Sequence, residues 1–108
     1  MTTDIKRLDG FDRTYCDRMR EAVWNAIVEA SRDSGTQVAS LRNYEIYDAL
    51  LQVHAMLLAS SKETDSPTKA RQTSHEFAKR LRQLIAQFRY KYESEGVPFD
   101  VVHTDELH

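Results

Sequence analysis

Basic side chains are concentrated in one stretch of the sequence, between positions 67 and 92. Seven lysines and arginines stand there with a single acid, Glu76, so the segment carries a charge of +6 in a chain whose net charge is −2. Clustered basic residues bind phosphate groups when their charges converge on one face. The candidate anion-binding residues are Lys79, Arg80, Arg82 and Arg89.

The spacing of the basic residues nevertheless favours a structural role. On a helical wheel of about 100° per residue they fall along both edges of one apolar stripe. One edge holds Lys69, Arg80 and Lys91, and the other holds Arg71, Arg82 and Arg89. Long basic side chains at such edges lay their stems on apolar surface and keep their charges in water. Nucleic-acid or anion binding is therefore the second hypothesis.

One histidine lies within the most apolar stretch, residues 43–60. His54 follows Tyr44 and Tyr47 on the same apolar arc. A buried imidazole needs a hydrogen-bond partner for each ring nitrogen that it uses, so a structural histidine bonded to a tyrosine or a carbonyl is the simplest expectation. Histidine also titrates near neutral pH. A small-ligand pocket formed by Tyr44, Tyr47 and His54 is the further alternative.

The other reactive residue types form no catalytic or metal-binding pattern. The four histidines are scattered, and Cys16 is the single cysteine, so no ligand pair of a zinc site is present. Glu45 and Asp48 lie one turn apart without a histidine, which is typical of a solvated helix face. We expect no metal, no cofactor and no enzymatic activity.

Length and composition indicate one helical domain over residues 1–108, with less regular termini at 1–9 and 97–108. Three glycines and two prolines among 108 residues leave few turns for a sheet of many strands. A single cysteine fits a reducing compartment. The first ten residues contain no apolar run of the kind found in a signal peptide or an anchor. We expect a cytoplasmic chain that does not enter a membrane.

Three helices account for most of the sequence. The first is predicted from Gly10 or Phe11 to Ser34, with Asp9 or Asp12 as its N-cap and Gly35 as its C-terminal cap. The third is predicted from Pro67 to about Glu95, because Asp65 or Ser66 can cap it, proline suits the first helical position, and Gly96 follows.

The central helix, residues 43–60, is the most apolar of the three. Its apolar residues cover about half of the helical circumference, whereas an ordinary surface helix has a stripe of about 100°. It therefore needs cover on more than one side, from other helices or from a second copy of the chain. Short connections predict an all-α, three-helix up-down-up bundle with an irregular C-terminal tail, completed by dimerisation.

A second apolar site lies on the first helix, opposite its inner stripe. Trp24 and Val28 stand there among charged residues and need cover from the apolar tail or from a second protomer. Tryptophan is enriched at interface hot spots. The predicted interface consists of Trp24, Val28, Val97, Phe99, Val101 and Val102. We expect a small non-enzymatic interaction or regulatory module whose partner is itself or another protein.

Overall fold

The computed structural model describes residues 3–98, whose regular structure is helical. The α-helices are α1, Arg13–Ala30; α2, Asn43–Ala59; and α3, Pro67–Glu95, with a 3-10 turn at Lys62–Thr64. Extended pairing in this part of the chain is limited to one antiparallel bridge between Arg32 and Ala39. The prediction of an all-α chain is confirmed for these residues.

Helix α1 begins at Arg13, two to three residues after the predicted start, and it also ends earlier than predicted. Asp12 is the N-cap, and its carboxylate accepts a hydrogen bond of 3.0 Å from the backbone N–H of Tyr15. The helix ends at Ala30 with Ser31 as its C-cap, so the predicted end at Ser34 is wrong. The missing turn is replaced by a reversal of the chain.

That reversal is ordered by its own hydrogen bonds. The N–H of Asp33 donates to the carbonyl of Val38 at 2.8 Å, and the Ser40 hydroxyl donates to the Asp33 carboxylate at 2.7 Å. Gly35 has a positive φ of 73° in this turn, a conformation that side chains disfavour. Gly35 therefore belongs to the turn and is not the helix cap that the sequence predicted.

Helix α3 has the predicted bounds. The Ser66 hydroxyl accepts a hydrogen bond of 3.2 Å from the N–H of Lys69, and Pro67 occupies the first turn, where its missing N–H costs nothing. At the other end Gly96 has a φ of 85°, and its N–H donates to the carbonyl of Tyr92 at 2.9 Å. Both ends are thus determined by local residues.

The connection between α2 and α3 is fixed by two threonines and one pair of rings. The Thr64 hydroxyl donates to the carbonyl of Leu58, and the Thr73 hydroxyl donates to the carbonyl of Glu63 at 2.9 Å. The rings of His54 and Phe77 stack with their centroids 5.8 Å apart. The last turns of α2 are thereby joined to the first half of α3.

Backbone contacts divide the chain into two units, Met1–Val53 and His54–His108. The first contains α1, the ordered reversal and the start of α2. The second contains the end of α2, the 3-10 turn and α3. The predicted single domain and the predicted up-down-up bundle stay predictions, and the tail residues Phe99, Val101 and Val102 lie outside the described residues.

Candidate interaction surfaces

The apolar residues of all three helices are accessible to solvent. None of the side chains between residues 3 and 98 is buried, so this part of the chain encloses no hydrophobic core of its own. The large apolar residues left more than half exposed on the helices are Tyr15, Tyr44, Tyr47, Leu51, Val53, Met56, Leu57, Leu81, Ile85 and Tyr90. Large exposed apolar patches mark interaction sites in soluble proteins.

Helix α2 is apolar around about half of its circumference and is largely exposed along its length. Tyr44 is 86% exposed and Leu51 is 64% exposed, while Ile46 and Leu58 are half-buried. The sequence left two possible covers for this helix, namely the other helices or a second copy of the chain. Within the described residues the chain itself does not bury it.

Helix α3 presents an apolar groove along its second half. The groove has a volume of about 750 Å³. It is lined by Leu81, Leu84, Ile85, Phe88, Arg89, Tyr92, Glu93 and Val97. Gly96 turns the backbone so that Val97 joins residues of the helix itself. This groove was not predicted as a unit, although the apolar repeat and the glycine that form it were both identified in the sequence.

The candidate anion-binding residues are exposed and unpaired. Lys79, Arg80, Arg82 and Arg89 take part in no ion pair with the acids of residues 3–98. On α3 an ion pair is formed instead at the N-terminal end, where Lys69 lies 3.0 Å from Asp65. Since Arg89 lines the groove, basic charge borders the apolar surface of α3 directly.

The acidic residues of α2 lie on its polar strip, as predicted. Glu45 accepts a hydrogen bond of 3.3 Å from the Arg42 guanidinium, and Asp48 accepts one of 2.6 Å from the Gln52 amide. The pKa of Glu45 is lowered, first by a hydrogen bond from its own backbone N–H and then by Arg42. Glu45 therefore stays ionised to lower pH than an ordinary glutamate.

The residues proposed for a ligand pocket are not enclosed. His54 is exposed and stacks on Phe77, while Tyr44 and Tyr47 form an edge-to-face pair with centroids 6.3 Å apart. The sequence pattern did not identify Phe77 as the partner of His54. The pocket formed by Tyr44, Tyr47 and His54 stays a prediction.

The predicted interface residues differ in exposure. Trp24 is 40% exposed, Val97 is also exposed and Val28 is half-buried. Trp24 and Val28 lie on α1, whereas Val97 lies at the groove of α3. Their joint use as an interface stays a prediction, and Phe99, Val101 and Val102 lie beyond the described residues.

Two kinds of feature are absent from residues 3–98. No group of three or more histidine, cysteine, aspartate or glutamate side chains there is arranged to hold a metal ion. None of the described helices combines the length and the apolar composition that crossing a bilayer requires.

Comparison with known proteins identifies no relative. No family model matches the chain, and no curated protein or solved structure matches it significantly.

Proposed function

We propose that this chain is a small non-enzymatic helical interaction module that associates with itself. One observation carries the proposal: the described helices are well formed and capped, yet none of their side chains is buried. Short helices are marginal alone in water, and most of their stability comes from packing an apolar face against other elements. A second copy supplies such a face.

The amount of exposed surface supports association. Nine large apolar side chains on α2 and α3 are more than half exposed. A standard interface removes roughly 800 Å² from each partner, and obligate dimers remove more. Burial of these side chains against a second copy would supply an interface of this kind.

In the architecture that we propose, three helices of each protomer form a bundle that the second protomer completes. Helix α2 lies at its centre, since it is the most apolar helix and most of its apolar side chains are exposed. Trp24 and Val28 extend the interface on α1. The charged residues around the apolar surface set the orientation of the partner.

The first test is the solution mass of the chain, measured by light scattering on a sizing column over a hundredfold range of concentration. We expect a dimer whose fraction rises with concentration, and a melting temperature that rises with it. Trp24→Ala should shift the equilibrium toward monomer. Asn25→Ala, an exposed change on the same helix about 100° away from Trp24, is the matched control. A monomer that melts at the same temperature throughout the range contradicts the proposal.

A second candidate function is binding of nucleic acid or another polyanion through α3. The observation in its favour is that Lys79, Arg80, Arg82 and Arg89 have no acidic partner in the described chain. This function predicts binding to duplex or single-stranded DNA that weakens steeply as salt increases. Fluorescence anisotropy with a labelled oligonucleotide measures it. Absence of binding at low salt rules it out.

A further inference from the structure

The apolar stripe of α3 has an 11-residue period. Ala70, Leu81 and Tyr92 form one row with this spacing, and Phe77 and Phe88 form another. Eleven residues correspond to about 3.67 residues per turn over three turns, close to the natural period of the helix. The rows therefore run almost parallel to the helix axis. From Phe77 to Tyr92 they form a straight apolar seam about 22 Å long, at 1.5 Å per residue.

The charges beside this seam disfavour a second α3 as its partner. Both edges of the seam carry mainly basic residues, although Glu93 also lines the groove, and α3 contains seven basic residues against three acids. Two copies of α3 in contact would place basic edges against basic edges, and like charges facing each other across an interface are unfavourable. The partner of the seam should therefore be apolar with acidic borders.

Helix α2 has these properties. It contains Glu45 and Asp48 and no lysine or arginine, whereas α1 has equal numbers of acids and bases. Its 17 residues span about 25 Å, slightly more than the length of the seam. Asp48 is a neighbour of Tyr44 and Leu51 on the helix surface, at four- and three-residue spacing. An acid thus borders the exposed apolar face of α2.

We propose that the seam of α3 in one copy binds α2 of a second copy, with Glu45 and Asp48 facing the arginines beside the seam. The inference rests on the proposed self-association. A second copy is needed because Leu81 and Ile85 remain 58% and 51% exposed, although His54 of the same chain contacts Phe77. A twofold axis makes the contact reciprocal, so a dimer contains it twice.

Two variants with reversed charge test the contact. The α2 variant carries Glu45→Lys and Asp48→Lys. The α3 variant carries Arg80→Glu and Arg89→Glu, one residue from each edge, so that the test does not depend on the direction in which α2 lies. Each variant alone would place like charges at both reciprocal contacts. We expect the dimer dissociation constant of each to rise about tenfold or more.

The decisive step is to mix the two variants at equal concentration. In a mixed dimer, reversed α2 meets reversed α3 and native α2 meets native α3, so both contacts again join opposite charges. Native mass spectrometry of chains with tags of different mass measures the fraction of mixed dimers. This fraction should lie well above one half of all dimers, which is the value that random pairing gives. A single chain that carries all four substitutions should also recover the dimer.

The outcomes separate this inference from the proposed function. If the wild type is a monomer, self-association itself fails. If the wild type is a dimer that neither variant weakens, self-association stands and the α2–α3 contact is wrong. If the chain with four substitutions recovers but the mixture does not, α2 pairs with α3 within one chain, which also overturns the inference.

Two controls complete the design. Far-ultraviolet circular dichroism reports the helix content of each variant, and mixing should restore whatever helix content a variant loses alone. A chain that ends at Pro98 tests whether residues 99–108 occupy the seam. The readout is the hydrogen-exchange rate of the backbone amides near Leu81 and Ile85. If this truncation alone changes that rate, the tail and not a second copy covers the seam.

Discussion

Truncation of Leu51 measures whether the exposed face of α2 is covered in solution. Leu51 is 64% exposed in the single chain, so only about a third of its side chain is removed from water. Full burial of a leucine side chain is worth roughly 2 kcal/mol in transfer free energy. In an isolated chain Leu51→Ala should therefore lower the free energy of unfolding by less than about 1 kcal/mol. If a neighbour covers Leu51, the loss should be about 2–5 kcal/mol.

The assay is equilibrium unfolding in urea, followed by circular dichroism at several protein concentrations. For a dimer that unfolds to separate chains, the midpoint rises with concentration, and the fit yields a free energy that includes association. A loss of about 2.8 kcal/mol corresponds to a hundredfold weaker dimer. Gln52→Ala is the control on the neighbouring position, where only an exposed hydrogen bond of 2.6 Å to Asp48 is removed.

The result that would refute the reasoning is equally specific. If Leu51→Ala costs less than about 1 kcal/mol at all concentrations, the face stays in water and no partner covers it. If Gln52→Ala costs as much as Leu51→Ala, the loss reflects damage to the helix and not the removal of a buried contact. Both variants should retain the m-value of the wild type, since the surface exposed on unfolding is almost unchanged.

Further predictions concern single positions. The pKa of Glu45 should lie below its ordinary value of 4.5 in a carbon-detected NMR titration and should rise when Arg42→Gln removes one of its hydrogen-bond donors. Because the folded pKa is the lower one, the stabilisation from Glu45 is complete above the ordinary pKa and is lost as pH falls through the folded value. Ser66→Ala removes the N-cap of α3 and should cost about 1 kcal/mol in urea unfolding, whereas Ser66→Asp should cost little. Gly35→Ala places a side chain at a φ of 73° and should lower the melting temperature in a calorimetric scan, although no neighbouring atom obstructs the new Cβ.

The ends of α3 could be predicted because their determinants are local. A serine before a proline and a glycine after the last apolar residue fix the two ends by hydrogen bonds within four residues. The central helix was predicted to within one residue of its end for a related reason, since its apolar composition changes abruptly at Ser60. Strong local sequence signals are therefore sufficient to predict where these two helices begin and end.

The end of α1 could not be predicted from the same kind of argument. Residues 31–34 have no strong helix breaker, and Gly35 offered an obvious cap. In the structure Asp33 uses its backbone and its carboxylate to bond Val38 and Ser40 instead. Short polar side chains compete with the helix for backbone hydrogen bonds, and the winner depends on residues beyond the helix.

The candidate surfaces were predictable only in part. Helical periodicity identifies the apolar face of α2 and the seam of α3, but it does not say what covers either of them. The stacking of His54 on Phe77 and the entry of Val97 into the groove join residues from different segments. Such contacts depend on the course of the connecting turns, and the periodicity of one helix contains no information about them.

Charge separation between α2 and α3 has a consequence for the choice between the two proposed functions. The arginines beside the seam can face acids of a second copy or phosphates of a nucleic acid, but the same side chains cannot do both at once. If the α2–α3 contact forms, polyanions should compete with the dimer, and added DNA should release monomers at low salt. If both functions used separate surfaces, DNA would bind the intact dimer. The mass of the species that elutes with DNA therefore decides among three roles of α3. It can form the dimer contact, bind nucleic acid, or exchange one partner for the other.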